Sequence, residues 1–246
     1  MDILYIVGSG SCHDNIELMM SLRSISKYGN GIDRVVVAGK PPPWLSDEVA
    51  TLEVKDKYKY KHSNILHCIE TVIDAGLLSG NFLYSSDDHF YVKPVDFDNY
   101  PVFVKCELRN YVNKTDPFYE YHCSLYDTRK LCEKHGLPTV NYSQHCNTHM
   151  NVEVFKEIRD IIHESYTLPY GVEPTSILMN AWQMHADAPS TFRREDCKIL
   201  HAKNVSDIYS QIGTRDCFSI GDSIFRNKAI MDFFSLEYNI NSIFEK

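Results

Sequence analysis

The feature that most constrains this chain is an alternation, close to its amino terminus, between short strand-like runs and longer segments with helical spacing. Ile3-Leu4-Tyr5-Ile6-Val7 is apolar throughout, and the following segment places Ile16, Met19, Met20, Leu22 and Ile25 at helical intervals. A run that is apolar at every position suits a strand covered on both faces, as in a parallel sheet, whereas the helical period marks one apolar stripe. The pattern recurs in Arg34-Val35-Val36-Val37-Ala38, in the short Leu52-Glu53-Val54, in a helical segment over 63–75, and in Asn81-Phe82-Leu83-Tyr84-Ser85. Parallel strands need crossover connections, so the alternation predicts an α/β fold of βαβ units around a mainly parallel sheet. Asp14 is the expected N-cap of the first helix, which runs to Tyr28 and is stopped by Gly29. A further strand is expected over 101–105, and helices over 127–135, 152–163, 174–185 and 227–235 form a carboxyl-terminal helical elaboration.

Composition removes several alternatives. At 246 residues, with no repeat or linker-like stretch, one compact domain is expected. The 33 acidic side chains outnumber 25 basic ones, a net charge of −8, which weighs against a chain whose main task is gripping phosphate backbones. The longest apolar runs are about five residues against the roughly 20 a membrane-spanning helix needs, so no span is expected. No basic segment precedes the first apolar run, so it reads as a buried strand and not as a signal peptide. None of the eight cysteines forms a C-x-x-C pair, which weighs against a zinc ribbon or a redox motif, and they read as reduced thiols of a cytoplasmic protein.

In an open α/β sheet, ligands bind outside the carboxyl ends of the strands. Two such ends stand out. Gly8-Ser9-Gly10-Ser11 leaves the first strand with residues small enough for close backbone approach to a nucleotide, although it is not a full dinucleotide fingerprint. Asp87-Asp88-His89 leaves the strand 81–85, and adjacent carboxylates suit a hard divalent cation that prefers oxygen ligands and bridges a diphosphate. The competing reading of Asp87-Asp88-His89 is an acidic capping loop.

The segment from Phe82 to Phe90 resembles the D-x-D-type segment of GT-A-fold glycosyltransferases, and most closely the Y-x-N-D-D-x-F block of the Stealth family of capsular hexose-phosphate transferases. Asn15-Ile16-Glu17-Leu18 through Lys27-Tyr28 resembles that family's N-x-E-L-x-x-S-L-R-S-I-x-K-Y helix, and Pro43-Trp44-Leu45 its P-x-W-L turn. Phe218-Ser219-Ile220-Gly221-Asp222 and the closing Ser242-Ile243-Phe244-Glu245-Lys246 resemble its last block. Small bacteriophage and bacterial sugar transferases share much of this layout. The chain departs from the family in lacking the Trp of its Y-T-W-V block and in carrying His145-Cys146-Asn147 where the family has H-x-P.

The resemblance implies a GT-A-like single domain over 1–246, with a nucleotide-sugar-binding half over 1–105 and an acceptor-side half with the helical elaboration over 106–246. It implies a metal-dependent glycosyltransferase that moves a sugar from a nucleotide-sugar donor, a UDP-sugar first, to a hydroxyl of a glycan or of a hydroxymethylated DNA base. The Stealth reaction, transfer of a sugar phosphate, is the alternative, and a non-catalytic sugar-binding module is a third. Asp88 and His201, with Asp87 assisting, are the expected holders of Mn²⁺ or Mg²⁺. Gly8, Ser9, Gly10, Ser11, Arg23, Lys61, His62, Asn64, Asp87 and Lys203 are the donor-binding candidates, Lys61, His62 and Asn64 because they open a helix whose amino end attracts anions. His145, Glu173 and Asp222 are the catalytic candidates. Plainer readings stand beside these: a solvated helix face for Arg23, a polar loop residue for His145, a first-turn charge for Glu173 and a helix cap for Asp222. His149, four residues after His145, shares its face if that stretch is helical, but Asn151 is the expected cap of the next helix, which leaves both histidines in a loop.

Overall fold

The computed structural model describes residues 1–8, 14–193 and 196–246. Its elements, in chain order, begin with β1 (Asp2–Val7), α1 (Ile16–Tyr28), β2 (Arg34–Gly39), β3 (Val49–Glu53), α2 (Lys61–Asp74), β4 (Asn81–Ser85) and β5 (His89–Tyr91). They continue with α3 (Tyr119–His135), β6 (Thr148–Asn151), α4 (Val152–Glu157), α5 (Arg159–Ser165), α6 (Pro174–Trp182), β7 (Lys198–Ile199), α7 (Val205–Ile212), β8 (Cys217–Ile220) and α8 (Lys228–Glu237). Shorter strands pair Val102–Val104 with Thr191–Arg193 and Cys106–Glu107 with Val140–Asn141.

The central sheet has the order β6-β4-β1-β2-β3. β1 is parallel to both β2 and β4, Tyr5 lying opposite Val37 on one side and Ser85 on the other, and β3 is parallel to β2. Alternation along β1 splits the core into two layers. Ile3, Tyr5 and Val7 pack with Leu18, Leu22 and Ile25 of α1, while Leu4 packs on the other face with Leu66, Ile69 and Val72 of α2. A second, three-stranded sheet, β7-β8-β5, packs Phe90 and Phe218 against Phe233 and Phe234 of α8.

The expected α/β class, parallel sheet and later helices are present, with four local differences. β6, T-H-M-N, is an antiparallel edge strand paired with β4, a place that its sequence does not announce. α1 begins at Ile16 without a side-chain cap, because Asp14 and Asn15 both hold left-handed backbone, φ 54° and 58°. The helical stretch over 152–163 divides at Ile158, where φ −95° and ψ 16° leave the α region, and α3 starts well before the expected 127. Asn151 caps α4 as expected, its Oδ1 accepting from Val154 N–H at 2.9 Å. Gly39, which ends β2, has φ +98°, and a Cβ there would lie 2.3 Å from the Val7 carbonyl oxygen. Only glycine fits that close approach, which brings the carboxyl ends of β1 and β2 together. Among the described residues no helix is long and apolar enough to cross a membrane, and no two cysteines are joined in a disulfide.

Candidate active site

The sheet order reverses between β1 and β4: from β1 the chain crosses to β2 on one side and returns to β4 on the other. Such a switch point opens a crevice at the carboxyl ends of the two strands. The loop after β1 starts at exposed Gly8, and the rest of that motif, Ser9, Gly10 and Ser11, lies outside the described residues. β4 ends beside it and leads into Ser86-Asp87-Asp88. Phe82 and Leu83 are fully buried, so the backbone that presents these carboxylates is anchored in the core.

The two aspartates face different surroundings. Asp87 feels the ammonium of Lys61, the first residue of α2, and the carboxylate of Glu17 in α1. Burial first, and then the neighbouring Asp88 charge, push the Asp87 carboxyl up to about 7 against the pull of Lys61. Asp88 is flanked by Lys198 Nζ and by His89 Nε2, each at 3.9 Å from one of its oxygens. His89 is buried, its pKa lowered by that burial, and its Nδ1 accepts from the Ser86 N–H at 3.4 Å. His145 is pulled down to about 4, first by burial and then by the Lys198 charge, so its imidazole is neutral at physiological pH. The site therefore sets two adjacent carboxylates between cations, with neutral imidazoles alongside.

Half-buried neighbouring carboxylates, one of them driven toward its protonated form, are a donor set that a hard divalent cation would relieve, and oxygen is the ligand type such ions prefer. Among the described residues no group of three or more His, Cys, Asp and Glu side chains gathers closely enough to cage a metal by itself. A cation seated on one or two carboxylates takes its remaining ligands from water and ligand phosphates, the usual arrangement for Mg²⁺. His201 is exposed two residues past β7, with its carbonyl bonded to Gln211, and exposed Lys203 gives its N–H to Asp207. His62 is tucked under the α2 amino end, its pKa lowered by burial, with Glu173 nearby and the Tyr121 ring 6.2 Å away edge-on.

Three predicted site residues have other engagements. Arg23 spends its guanidinium on the chain end: on Glu245 through Nε and Nη2, on the Tyr238 carbonyl at 3.0 Å and on Asn241 at 2.7 Å. Asn64 accepts from the N–H groups of Lys57 and Tyr58 and donates to the Tyr58 carbonyl, pinning that loop to α2. Glu173, 5% exposed, caps α6, accepting from Thr175 and Ser176 N–H and from the Thr175 hydroxyl. Its carboxylate is thus turned into its own helix, the plainer of its two readings. Asp222 is exposed at the head of a 3₁₀ turn just past β8, and Asn227, not Asp222, caps α8. His149 lies in β6, where Nε2 meets the Tyr100 carbonyl at 2.5 Å, and so does not join His145.

Beside Asp88 the structure surrounds the predicted His145 with residues that sequence reasoning did not select. A small cleft is lined by Phe103, Gln144, His145, Asp196, Arg215 and Cys217. Lys105 Nζ binds Asp196 Oδ2 at 2.5 Å, and His145 Nε2 lies 4.0 Å from the same oxygen. Lys198 stands three residues before the predicted ligand His201, but only the pairing of β7 with β8, and of β8 with β5, brings it to Asp88.

No family model matches the sequence. The exopolysaccharide phosphotransferases CpsY of Mycobacterium tuberculosis and Mycobacterium bovis are each 30% identical over 104 residues, covering 37% of this chain and 20% of theirs. The chain spans about a fifth of the length of the curated relatives it matches. Among solved structures, the galactosyltransferase LgtC in complex with donor and acceptor sugar analogues superposes with a TM-score of 0.49 at 11% identity, over 99% of this chain and 97% of that one. A glycosyltransferase involved in glycosylation of the major capsid of PBCV-1 gives 0.43 at 8% identity, over 98% and 100%.

Proposed function

We propose that the chain is a metal-dependent glycosyltransferase of the GT-A type, moving a sugar from a nucleoside-diphosphate sugar to a hydroxyl acceptor. One observation carries this reading: Asp87 and Asp88 stand at the switch point of a parallel sheet, with Lys61 on the side of one and Lys198 beside the other. Asp88 and Asp87 would hold Mn²⁺ or Mg²⁺, with exposed His201 as the further candidate ligand. The ion supplies Lewis-acid stabilisation of the charge that develops on the leaving nucleotide. Lys61 and Lys198 offset diphosphate charge on either side of the aspartates, with Lys203 a further candidate past β7. The small residues after β1, Gly8 to Ser11, allow the nucleotide to lie against backbone. His145, neutral and beside Asp88, accepts a hydrogen bond from the attacking hydroxyl and orients it. Asp222, just past β8, is the remaining candidate on the acceptor side.

The similarity to exopolysaccharide phosphotransferases favours a second reading, in which the acceptor attacks the β-phosphate and a sugar phosphate is transferred. The same residues serve both, because both reactions put charge on the diphosphate. The two differ in product. Incubation with a panel of UDP-sugars, Mn²⁺ and candidate glycan or hydroxymethylated-DNA acceptors, followed by nucleotide chromatography, yields UDP for glycosyl transfer and UMP for sugar-phosphate transfer. Release of neither nucleotide from any donor would reject both and leave a binding module.

A further inference from the structure

The cleft beside Asp88 contains polar atoms with no hydrogen-bond partner among the described residues. Gln144 Nε2 and Asp196 Oδ1 are both buried and make no hydrogen bond among the described residues, although Asp196 Oδ2 is held by Lys105. Beside His89, whose imidazole feels its amide, Asn147 is 2% exposed, and the buried Ser219 hydroxyl, opposite His89 in the β8–β5 pair, makes no hydrogen bond among the described residues. Buried polar groups are nearly always satisfied, and each one left unmade costs about 1–3 kcal/mol. Two such atoms lining one cleft, Gln144 Nε2 and Asp196 Oδ1, are therefore the footprint of a ligand that supplies their partners.

The chemistry of those atoms selects the ligand. One is an amide N–H that needs an acceptor, and another is a carboxylate oxygen that needs a donor. A hydroxyl offers both functions, and a pair of neighbouring hydroxyls answers both atoms at once. A phosphate or carboxylate has no proton for Asp196 and would face it as a like charge. An ammonium would enter among Lys105, Lys198 and Arg215, which surround or line the site. Phe103 adds an aromatic surface to the same cleft, the mixture of one apolar wall and a few placed polar groups that fixes a small ligand. We infer that this cleft is a subsite for a neutral sugar ring, the acceptor, with the Gln144 amide and the Asp196 carboxylate holding two adjacent hydroxyls. Its identity as the acceptor subsite rests on the transferase reading, whereas its affinity for a neutral sugar does not.

The test is ligand-observed NMR on the full chain with methyl glycosides of glucose, galactose, mannose and N-acetylglucosamine, and with glucose 6-phosphate and glucosamine as charged counterparts. Wild type, Gln144→Ala and Gln144→Glu are compared, with circular dichroism confirming that each is folded. At least one neutral glycoside should bind the wild type, bind both variants at least ~10-fold more weakly, as expected for one lost hydrogen bond in a partly dry site, and outcompete its charged counterparts. Binding that ignores both substitutions, binding led by the phosphorylated sugar, or no glycoside binding would overturn the inference. Nucleotide release by the wild type is scored separately. Gln144-dependent glycoside binding without release from any donor supports the sugar subsite and sinks the transferase reading, and release accompanied by Gln144-independent binding does the reverse.

Discussion

Glu173 offers the sharpest division between a catalytic and a structural assignment, and the structure sets the size of the effect. Its carboxylate accepts from Ser176 N–H at 2.7 Å, from Thr175 N–H at 3.2 Å, and from the Thr175 hydroxyl at 2.9 and 2.8 Å. All of this lies at the amino end of a helix whose nine residues, Pro174–Trp182, are every one buried. Glu173→Ala removes the cap, which alone costs about 1–2 kcal/mol, and strands a hydroxyl and two N–H groups that water reaches poorly. Together these come to about 3 kcal/mol. For a chain of this length that is a fall in melting temperature of roughly 6–12 °C, read by circular dichroism together with urea titration. Glu173→Asp should recover most of the loss, because aspartate is itself a preferred N-cap. A Glu173→Ala protein within ~0.5 kcal/mol of the wild type would refute the capping account. If nucleotide release then fell ~100-fold in Glu173→Gln at unchanged stability, the residue would return to the role of base.

Asp88→Asn should cut turnover at least ~100-fold, about 2.7 kcal/mol of transition-state stabilisation, with unchanged or higher stability in the absence of metal, since one of two repelling carboxylates is gone. Full activity of the wild type in excess chelator would contradict the metal requirement. Arg23→Ala breaks a pair at 2.7 Å whose side chains are 15% and 5% exposed, and should destabilise by about 2 kcal/mol while leaving nucleotide affinity, measured by calorimetry, unchanged. Burial raises the Asp127 carboxyl to about 6, so its ionised form is penalised in the folded state: the stability this protonated carboxyl contributes is full below about 4 and lost as pH rises through 6. Asp127→Asn should therefore stabilise by about 1 kcal/mol at pH 7.5, after allowing for the solvent that reaches this half-buried group, and by nothing measurable at pH 4. A gain that is equal at both pH values would show that the charge is not its source.

The sequence by itself determined the parts of the protein whose causes are local. Ile3 to Val7 and Asn81–Ser85 form strands because they are short apolar runs, and Asn151 starts a helix because its side chain reaches an N–H three residues on. The position of Asp87 and Asp88 at a strand's carboxyl end was legible for the same reason, since it follows from where the run stops. What only the tertiary structure decided were the partners. Arg23 and Glu245 are 222 positions apart, and nothing near Arg23 distinguishes a solvated helix face from a clasp on the chain end. The strand T-H-M-N has no alternation or apolar run of its own and becomes β6 because β4 offers it a free edge. Lys198 reaches Asp88 only because β7, β8 and β5 pair in that order, and the cleft, with Gln144 Nε2 and Asp196 Oδ1 unbonded among the described residues, exists only where segments around residues 103, 145, 196 and 216 converge. Local signals fix which backbone states a segment prefers. Which side chains end up facing one another across long loops is settled by how whole faces are buried, and it is there that the binding chemistry of this chain is assembled.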